Sequence, residues 1–150
     1  MTAATADDAF RLINEFLRED EFYLDSSRAY GDEGSVALRR ALALFLSRPE
    51  LGFVWLGYDR GEPVAVCVVC FAISTSLGAV VAKLDDFYVV AGRQGQGIGS
   101  AHVERLKEEL RRAGVRRIDT SFHLDNEEAA RFYERHGFAR LREERLACVI

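Results

Sequence analysis

The residues best placed to bind a reactive molecule are the glycines of Val89-Val90-Ala91-Gly92-Arg93-Gln94-Gly95-Gln96-Gly97-Ile98-Gly99-Ser100. Glycine lets the backbone turn its N–H groups toward one point and lets a ligand approach the main chain, because no Cβ stands in the way. An apolar strand pattern runs into this segment and a helical pattern runs out of it. The helix start adds unpaired N–H groups and the positive end of its dipole, so a phosphate or diphosphate is the guest such a cup suits. At a helix start each glycine costs about 1 kcal/mol relative to alanine, so their density implies a requirement.

Three phosphate loops compare with this segment. Gly92 and Gly97 have the spacing of a nucleoside-triphosphate loop, but Ile98 stands where that loop needs its lysine. Gly95 and Gly97 could open a dinucleotide fingerprint, but Ser100 takes the place of the third glycine and several strands precede the segment. The third pattern, Gln/Arg-x-x-Gly-x-Gly/Ala, is met in full by Gln94, Gly97 and Gly99.

Other chemistries have less support. Cys67 and Cys70 are three apart on a strand and point to opposite faces, which suits neither a metal nor a redox pair. With Cys148 they read as small buried apolar residues, and His102, His123 and His136 are too scattered for a zinc site. No metal is expected. The net charge of −4 argues against nonspecific nucleic-acid binding. Acids gather early, at Asp7, Asp8, Glu15, Glu19, Asp20, Glu21, Asp25, Asp32 and Glu33, whereas Arg93, Arg105, Lys107, Arg111, Arg112, Arg116 and Arg117 dominate later. An acidic rim and a basic rim suit a cationic acceptor and an anionic donor.

The elements that position these residues follow from periodicity. Asp7 or Asp8 can cap a helix through Phe10, Ile13, Phe16 and Leu17, and Ser35 begins another that stops before Pro49. An acidic, aromatic connection joins them. Residues 53–58 and 62–74 read as a hairpin across Asp59-Arg60-Gly61, and residues 80–90 as a third strand. A helix over 97–113, a strand over 115–122, a helix over 126–136 and one or two strands over 138–150 complete a mixed α/β sheet. The 150 residues are expected to form one domain without linker or repeat. The longest apolar stretch is about ten residues, half of a membrane span. With no secretory pattern in the first residues, the cytoplasm is the expected compartment.

The glycine pattern after a strand ending in Val resembles the acetyl-CoA signature of the GNAT N-acetyltransferases. Leu84-Asp85-Asp86-Phe87-Tyr88-Val89 looks like that family's central strand, and Asn126-Glu127-Glu128-Ala129-Ala130-Arg131-Phe132-Tyr133-Glu134-Arg135-His136-Gly137-Phe138 is similar to its Asn-x-x-Ala-x-x-x-Tyr-x-x-x-Gly-Phe segment. The resemblance covers residues 53–138 well and the N-terminal helices loosely. Two departures stand out: the family's first strand is short or missing, and Ala91 replaces a common proline.

The resemblance implies a mostly antiparallel sheet flanked by about four helices and splayed between the fourth and fifth strands. It implies acetyl-CoA as donor, its diphosphate on the main chain of Gln94, Gly95, Gln96, Gly97, Ile98, Gly99 and Ser100. The pantetheine arm would pair with Tyr88, Val89 and Val90, and Asn126 would cap the last helix and touch the donor. Tyr133 would serve the departing thiol, against the plainer reading that it packs in an apolar stripe. A primary amine resembles lysine, pKa about 10.4, and must lose a proton before attack. Asp86, on the same strand face as Tyr88 by alternation, is the candidate base, while Glu21, Asp25 and His123 would receive an ammonium. The acceptor is a small cationic amine, or else a protein amine, and a non-catalytic acyl-CoA-binding domain is the alternative. No nucleic acid or membrane partner is expected. A homodimer is compatible with such folds.

Overall fold

The computed structural model describes residues 1–28 and 33–149. After a short 3-10 turn, Ala3–Thr5, the chain forms helix α1, Ala6–Glu19. Its buried residues Ala9, Leu12 and Ile13 recur at helical spacing, so one face turns to the core. Asp7 and Asp8 lie inside the first turn, where they favour the helix through its dipole, while Thr5 takes the cap position.

The segment read as a connection is itself a helix, α2, Glu21–Ser27. Asp20 leaves α1 in an extended conformation and accepts the Tyr23 amide at 2.7 Å, which restarts the helix within one residue. Asp32, among the early acids, lies outside the described residues. Helix α3, Gly34–Ser47, stops where Pro49 holds Arg48 out of helical geometry.

Four strands form one sheet: β1, Gly52–Asp59; β2, Glu62–Ser74; β3, Ala79–Val89; and β4, Ile118–Thr120. They lie in sequence order, antiparallel from β1 to β3, with β4 parallel to β3. Arg60 and Gly61, both at positive φ, turn the β1–β2 hairpin as its sequence predicts. Helix α4, Ile98–Arg112, precedes β4, and α5, Glu127–Arg135, follows it.

Alternation along β2 sorts the core. Val66 and Val68 meet Ala9, Leu12, Ile13, Leu38 and Leu42 of α1 and α3. Cys67 and Val69 meet Leu106, Leu110 and Tyr133 of α4 and α5 on the opposite face. Fully burying a side chain such as Leu12 or Leu106 contributes about 1.5–3 kcal/mol. The architecture is the expected α/β one, with helices on both faces of a mixed, mostly antiparallel sheet. Helix α2 brings the α-helices to five among the described residues. No strand precedes α1 there, so the sheet parts between its third and fourth strands.

Two expected strands differ. Residues 115–122 pair only at Ile118–Thr120, although the Arg116 amide and Arg117 carbonyl already bond to Val80 and Ala82 of β3 at 3.0 and 2.9 Å. Residues 138–149 form no strand, which leaves Cys148 exposed where burial was expected, while Cys67 is buried and Cys70 partly so; Ile150 lies outside the described residues. The charged run Arg142-Glu143-Glu144-Arg145 separates Leu141 from Leu146, both exposed, and three residues of β4 offer little edge to pair with. None of the helices among the described residues is long and apolar enough to cross a membrane.

One core position is polar. His102 of α4 is 5% exposed, with its ring 6.3 Å from that of Trp55 and 5.6 Å from that of Phe87. It hydrogen-bonds the Trp55 main chain, and its Nε2 has no partner among the described residues. A Cβ at Gly57 would stand 2.8 Å from its Nδ1, so glycine is what admits the ring. Burial pushes the imidazole down to about 4, outweighing the Trp55 bond, which acts upward. The unfolded ring binds a proton near pH 6.5, so stability is held above that pH and falls as pH drops toward 4. The Asp86 carboxyl, raised to about 6, titrates in the same window with the opposite sign, so thermal melts between pH 7.5 and 4.5 should show this fall in an Asp86→Asn background and adding His102→Asn should flatten it; an equally steep fall in the double variant would assign the effect elsewhere.

Candidate functional site

The loop between β3 and α4 is built from left-handed glycines. Gly92, Gly95 and Gly97 have φ of 79, 72 and 80°, and no atom lies within 4 Å of where a Cβ would stand on any of them. Two side chains hold the loop's shape from within: Gln94 Nε2 donates to the Val89 carbonyl at 3.0 Å, and Gln96 Nε2 to the Gly92 carbonyl at 3.0 Å. The Arg93 guanidinium pairs with Asp59 of β1. Main-chain amides of residues 94–100 make no hydrogen bond among the described residues, and the stretch is exposed or partly so. The structure therefore presents a solvent-facing group of free donors at the positive end of α4, a ready site for an anion. Gln94 and Gln96 can offer it their amides, since their side chains are occupied. Gly99 has another role: a Cβ there would lie 3.4 Å from Phe132 and 3.5 Å from Val89, so it permits the close approach of α4 to α5 and β3.

Beside the cup the sheet opens. β3 pairs with β4 only at Ala82, Lys83 and Leu84, and the Thr120 hydroxyl closes the pairing by donating to the Leu84 carbonyl at 3.0 Å. From Asp85 onward that edge of β3 has no strand beside it. The Val90 amide donates to Val64 and its carbonyl accepts from Arg93, both at 3.0 Å. The Val90 amide is thus tied into the protein and is not free to pair with a ligand, which narrows the sequence expectation to its carbonyl. Main-chain directions alternate along a strand, so the Val89 amide turns to the open side.

Asp86 corrects a second expectation. Opposite Cys67 of β2, β3 carries both Asp86 and Phe87, and Asp86 has φ 48°. This bulge breaks the alternation. Phe87 joins Ala82 and Leu84 on the α4–α5 face while Tyr88 packs toward α1, so the count of two from Asp86 to Tyr88 does not define a shared face. Burial, then the neighbouring Asp85, raise the Asp86 carboxyl to about 6, against Lys83 and Arg145. Tyr88 donates its phenol hydrogen to Glu15 of α1 at 2.7 Å and binds through its side chain within the protein.

Helix α5 begins as expected, with the Asn126 carboxamide oxygen accepting the Ala129 amide at 2.9 Å. Tyr133 is 8% exposed and sits at the parting of the strands, its ring 6.4 Å from Phe87 of β3 and stacked 6.1 Å from Phe122 beyond β4. Phe132 and Phe138 complete an aromatic surround at 5.3 and 5.2 Å. Burial raises its phenol to about 12, with Cys67, Asp85 and Asp86 adding and a hydrogen bond with Thr120 opposing. Tyr133 thus packs in the apolar stripe, as the plainer reading has it, and does so where β3 and β4 part.

Two of the expected acceptor residues come together. His123 Nε2 lies 3.1 Å from Asp25 of α2, its Nδ1 accepts the Asp125 amide at 3.2 Å, and the Phe22 ring lies tilted 5.3 Å away. The accepting Nδ1 leaves the hydrogen on Nε2, which donates to Asp25. Glu21 is exposed one turn before Asp25 on the same helix face. The surround of Tyr133, the Asp86 bulge and the Arg93–Asp59 tie escaped the sequence reading. Only the phenylalanines flanking each motif hinted at the first.

Comparison with known proteins gives the same picture. The model of the acetyltransferase (GNAT) family matches residues 11–138. N-alpha-acetyltransferase 30 of Schizosaccharomyces pombe is 33% identical over 92 residues, which span 61% of this chain and 59% of that protein. An integron cassette protein from the mobile metagenome of Cole Harbour Salt Marsh superposes with a TM-score of 0.81 at 25% identity, covering 100% of this chain and 88% of that one. A probable acetyltransferase shares the fold with a TM-score of 0.79 at 22% identity, covering 100% of this chain and 94% of that one. With a family model spanning both the anion cup and the Tyr133 helix, this chain belongs to the acetyltransferase (GNAT) family.

Proposed function

We propose that the protein transfers an acetyl group from acetyl-CoA to a primary amine by direct attack, with both substrates bound at once. The observation that carries this reading is the open, amide-lined cup at the start of α4 beside a parted strand pair with Tyr133 at the parting. The residues fit the donor: free N–H groups face solvent where a diphosphate would sit, and the glycines leave the space that a Cβ would fill. When bound, acetyl-CoA supplies an acyl carbon activated as a thioester.

The protein's own residues then have distinct tasks. Amides of residues 94–100 hold the diphosphate. The Val89 amide, turned to the open edge, hydrogen-bonds the carbonyl oxygen as negative charge grows there. Asp86, partly ionised near neutrality, takes the amine's proton directly or through water. The new N–C bond forms as the C–S bond breaks, and the sulfur leaves with the electron pair. A phenol at about 12 remains protonated at neutral pH and is too weak an acid to give its proton up fully to a thiolate near 8.5, so Tyr133 stabilises the leaving sulfur by hydrogen-bond donation.

The acceptor we favour is a small cationic amine, because Glu21 and Asp25 line one face of α2 and Asp25 meets His123. A second reading, a polypeptide α-amine, is favoured by the similarity to the S. pombe N-alpha-acetyltransferase. Thiol release from acetyl-CoA measured over a panel of polyamines, aminoglycosides and short peptides separates them, and tight donor binding with no release across the panel would refute transfer.

Tyr133→Phe should lower kcat by about a hundredfold with donor affinity nearly unchanged; an unaltered rate under conditions where chemistry is slow removes Tyr133 from the mechanism. Gly97→Val combines a positive φ of 80° with a side chain in the cup, and calorimetry should find acetyl-CoA binding abolished. Retained affinity would refute the loop assignment. The raised Asp86 carboxyl predicts that kcat/KM climbs as pH rises through about 6. Its folded pKa lies above the unfolded 3.8, so its contribution to stability is present below that value and is lost as pH rises through about 6. Asp86→Asn should therefore melt at a higher temperature than the wild type at pH 7 while turning over more slowly.

A further inference from the structure

The two ends of the site stand on two helices, α4 opening on the amide cup and α5 carrying Tyr133. Consecutive residues of the first turn of α4 touch α5. At Gly99 the approach is so close that a Cβ would stand 3.4 Å from Phe132. At Ser100 the hydroxyl lies 3.0 Å from Nε2 of His136, the residue that caps the C-terminal end of α5. Phe132 and His136 are four apart, so they share a face, and their rings are 4.7 Å apart.

His136 is held on its other side as well. Its Nδ1 lies 2.8 Å from Glu104 Oε1, and Lys107 Nζ donates to that same oxygen and to the His136 carbonyl, each at 2.9 Å. A carboxylate only accepts, so Nδ1 carries its hydrogen toward Glu104. In the neutral ring Nε2 then accepts from the Ser100 hydroxyl, giving a chain with one direction from serine through imidazole to carboxylate. The His136 side chain is only 11% exposed. Both ring nitrogens and the carbonyl of this residue are spent on α4, three residues after Tyr133.

We infer that His136 is a positioning residue that locks the Tyr133 helix to the first turn of the donor-binding helix, so that the phenol and the amide cup keep one relative position. The inference rests on Tyr133 serving the leaving sulfur. Helix α5 is nine residues long and is followed, after Gly137, by a segment without regular structure. Main-chain bonds from Gly137 and Phe138 close its C-terminal end, and His136 and Lys107 tie that end to α4. A shift of about 1 Å at a reacting group costs up to about a hundredfold in rate, so loosening the tie acts on turnover more than on donor binding.

The test is a double-mutant cycle between His136→Phe and Tyr133→Phe, with kcat and the KM for acetyl-CoA read from thiol release and folding checked by melting. His136→Phe should lower kcat about tenfold with the KM changed less than about threefold, and should add nothing in the Tyr133→Phe background. His136→Gln, whose Nε2 can still reach Ser100, should recover most of the rate. Equal losses in both backgrounds would mark a merely structural role and overturn the inference while leaving the assignment of Tyr133 standing. An unchanged kcat in His136→Phe would overturn it too. If Tyr133→Phe alone keeps full rate, the reading of Tyr133 fails and the inference falls with it. Should His136→Phe not fold, Ser100→Ala crossed with Tyr133→Phe reads the same coupling, with additivity as the overturning result.

Discussion

The pairing of β3 with β4 ends after three residues, and the proposed chemistry depends on that ending. A parallel pair that ran on would bury the main chain of residues 85–89 in hydrogen bonds and close the sheet. Two local devices prevent it. The Thr120 hydroxyl occupies the Leu84 carbonyl at the last pair, and the bulge at Asp86 increases the twist of β3 just beyond it. An edge of unpaired N–H and C=O groups is normally a liability, because it invites another strand. Here it faces an aromatic surround at Tyr133 and leads to a loop whose amides are also free. The open edge and the cup follow one another along the backbone, joined through Val90, whose amide and carbonyl are tied to Val64 and Arg93.

What the sequence disclosed about this run was what is local. Glycine at positive φ, a helix start and a helix cap are decided within a few residues, so the cup, the start of α4 at Ile98 and the Asn126 cap stand near their expected places. Strand β2, Glu62–Ser74, could be read to the residue because its apolar run is bounded by a turn on each side. The bulge was missed although it left a trace: Leu84 and Phe87 are both apolar with two aspartates between them, a spacing of three that a straight strand would send to opposite faces, and aspartate tolerates the left-handed geometry that Asp86 adopts. Long-range partners were hidden. His123 and Asp25 are 98 residues apart, and only the packing of α2 beside the end of β4 joins them. The strand expected over 138–150 shows the converse failure, where β-prone residues find no edge to pair with.

Burial acts on the interior groups of this region in a single sense. It raises the Asp86 carboxyl to about 6 and the Tyr133 phenol to about 12, and lowers the His102 imidazole to about 4. Each shift favours the uncharged form, as low polarity requires. Of these three groups only Asp86 is charged to any extent at neutral pH, and it stands at the bulge of β3, just past the last residue paired with β4.

The same environment bears on the amine. In the proposed reaction an ammonium would meet the exposed carboxylates of α2, which stabilise its charge, before the surround of Phe87, Phe122, Phe132 and Phe138, which does not. Desolvation lowers the pKa of an amine as it lowers that of a buried lysine. In the proposed reaction part of the deprotonation is therefore driven by the passage inward, and the carboxylate at Asp86 has only to receive a proton already loosened. A base of modest strength suffices under those conditions. This reconciles a carboxyl near 6 with an acceptor whose pKa in water is about 10.4, since the difference between them in solution overstates the difference within the site.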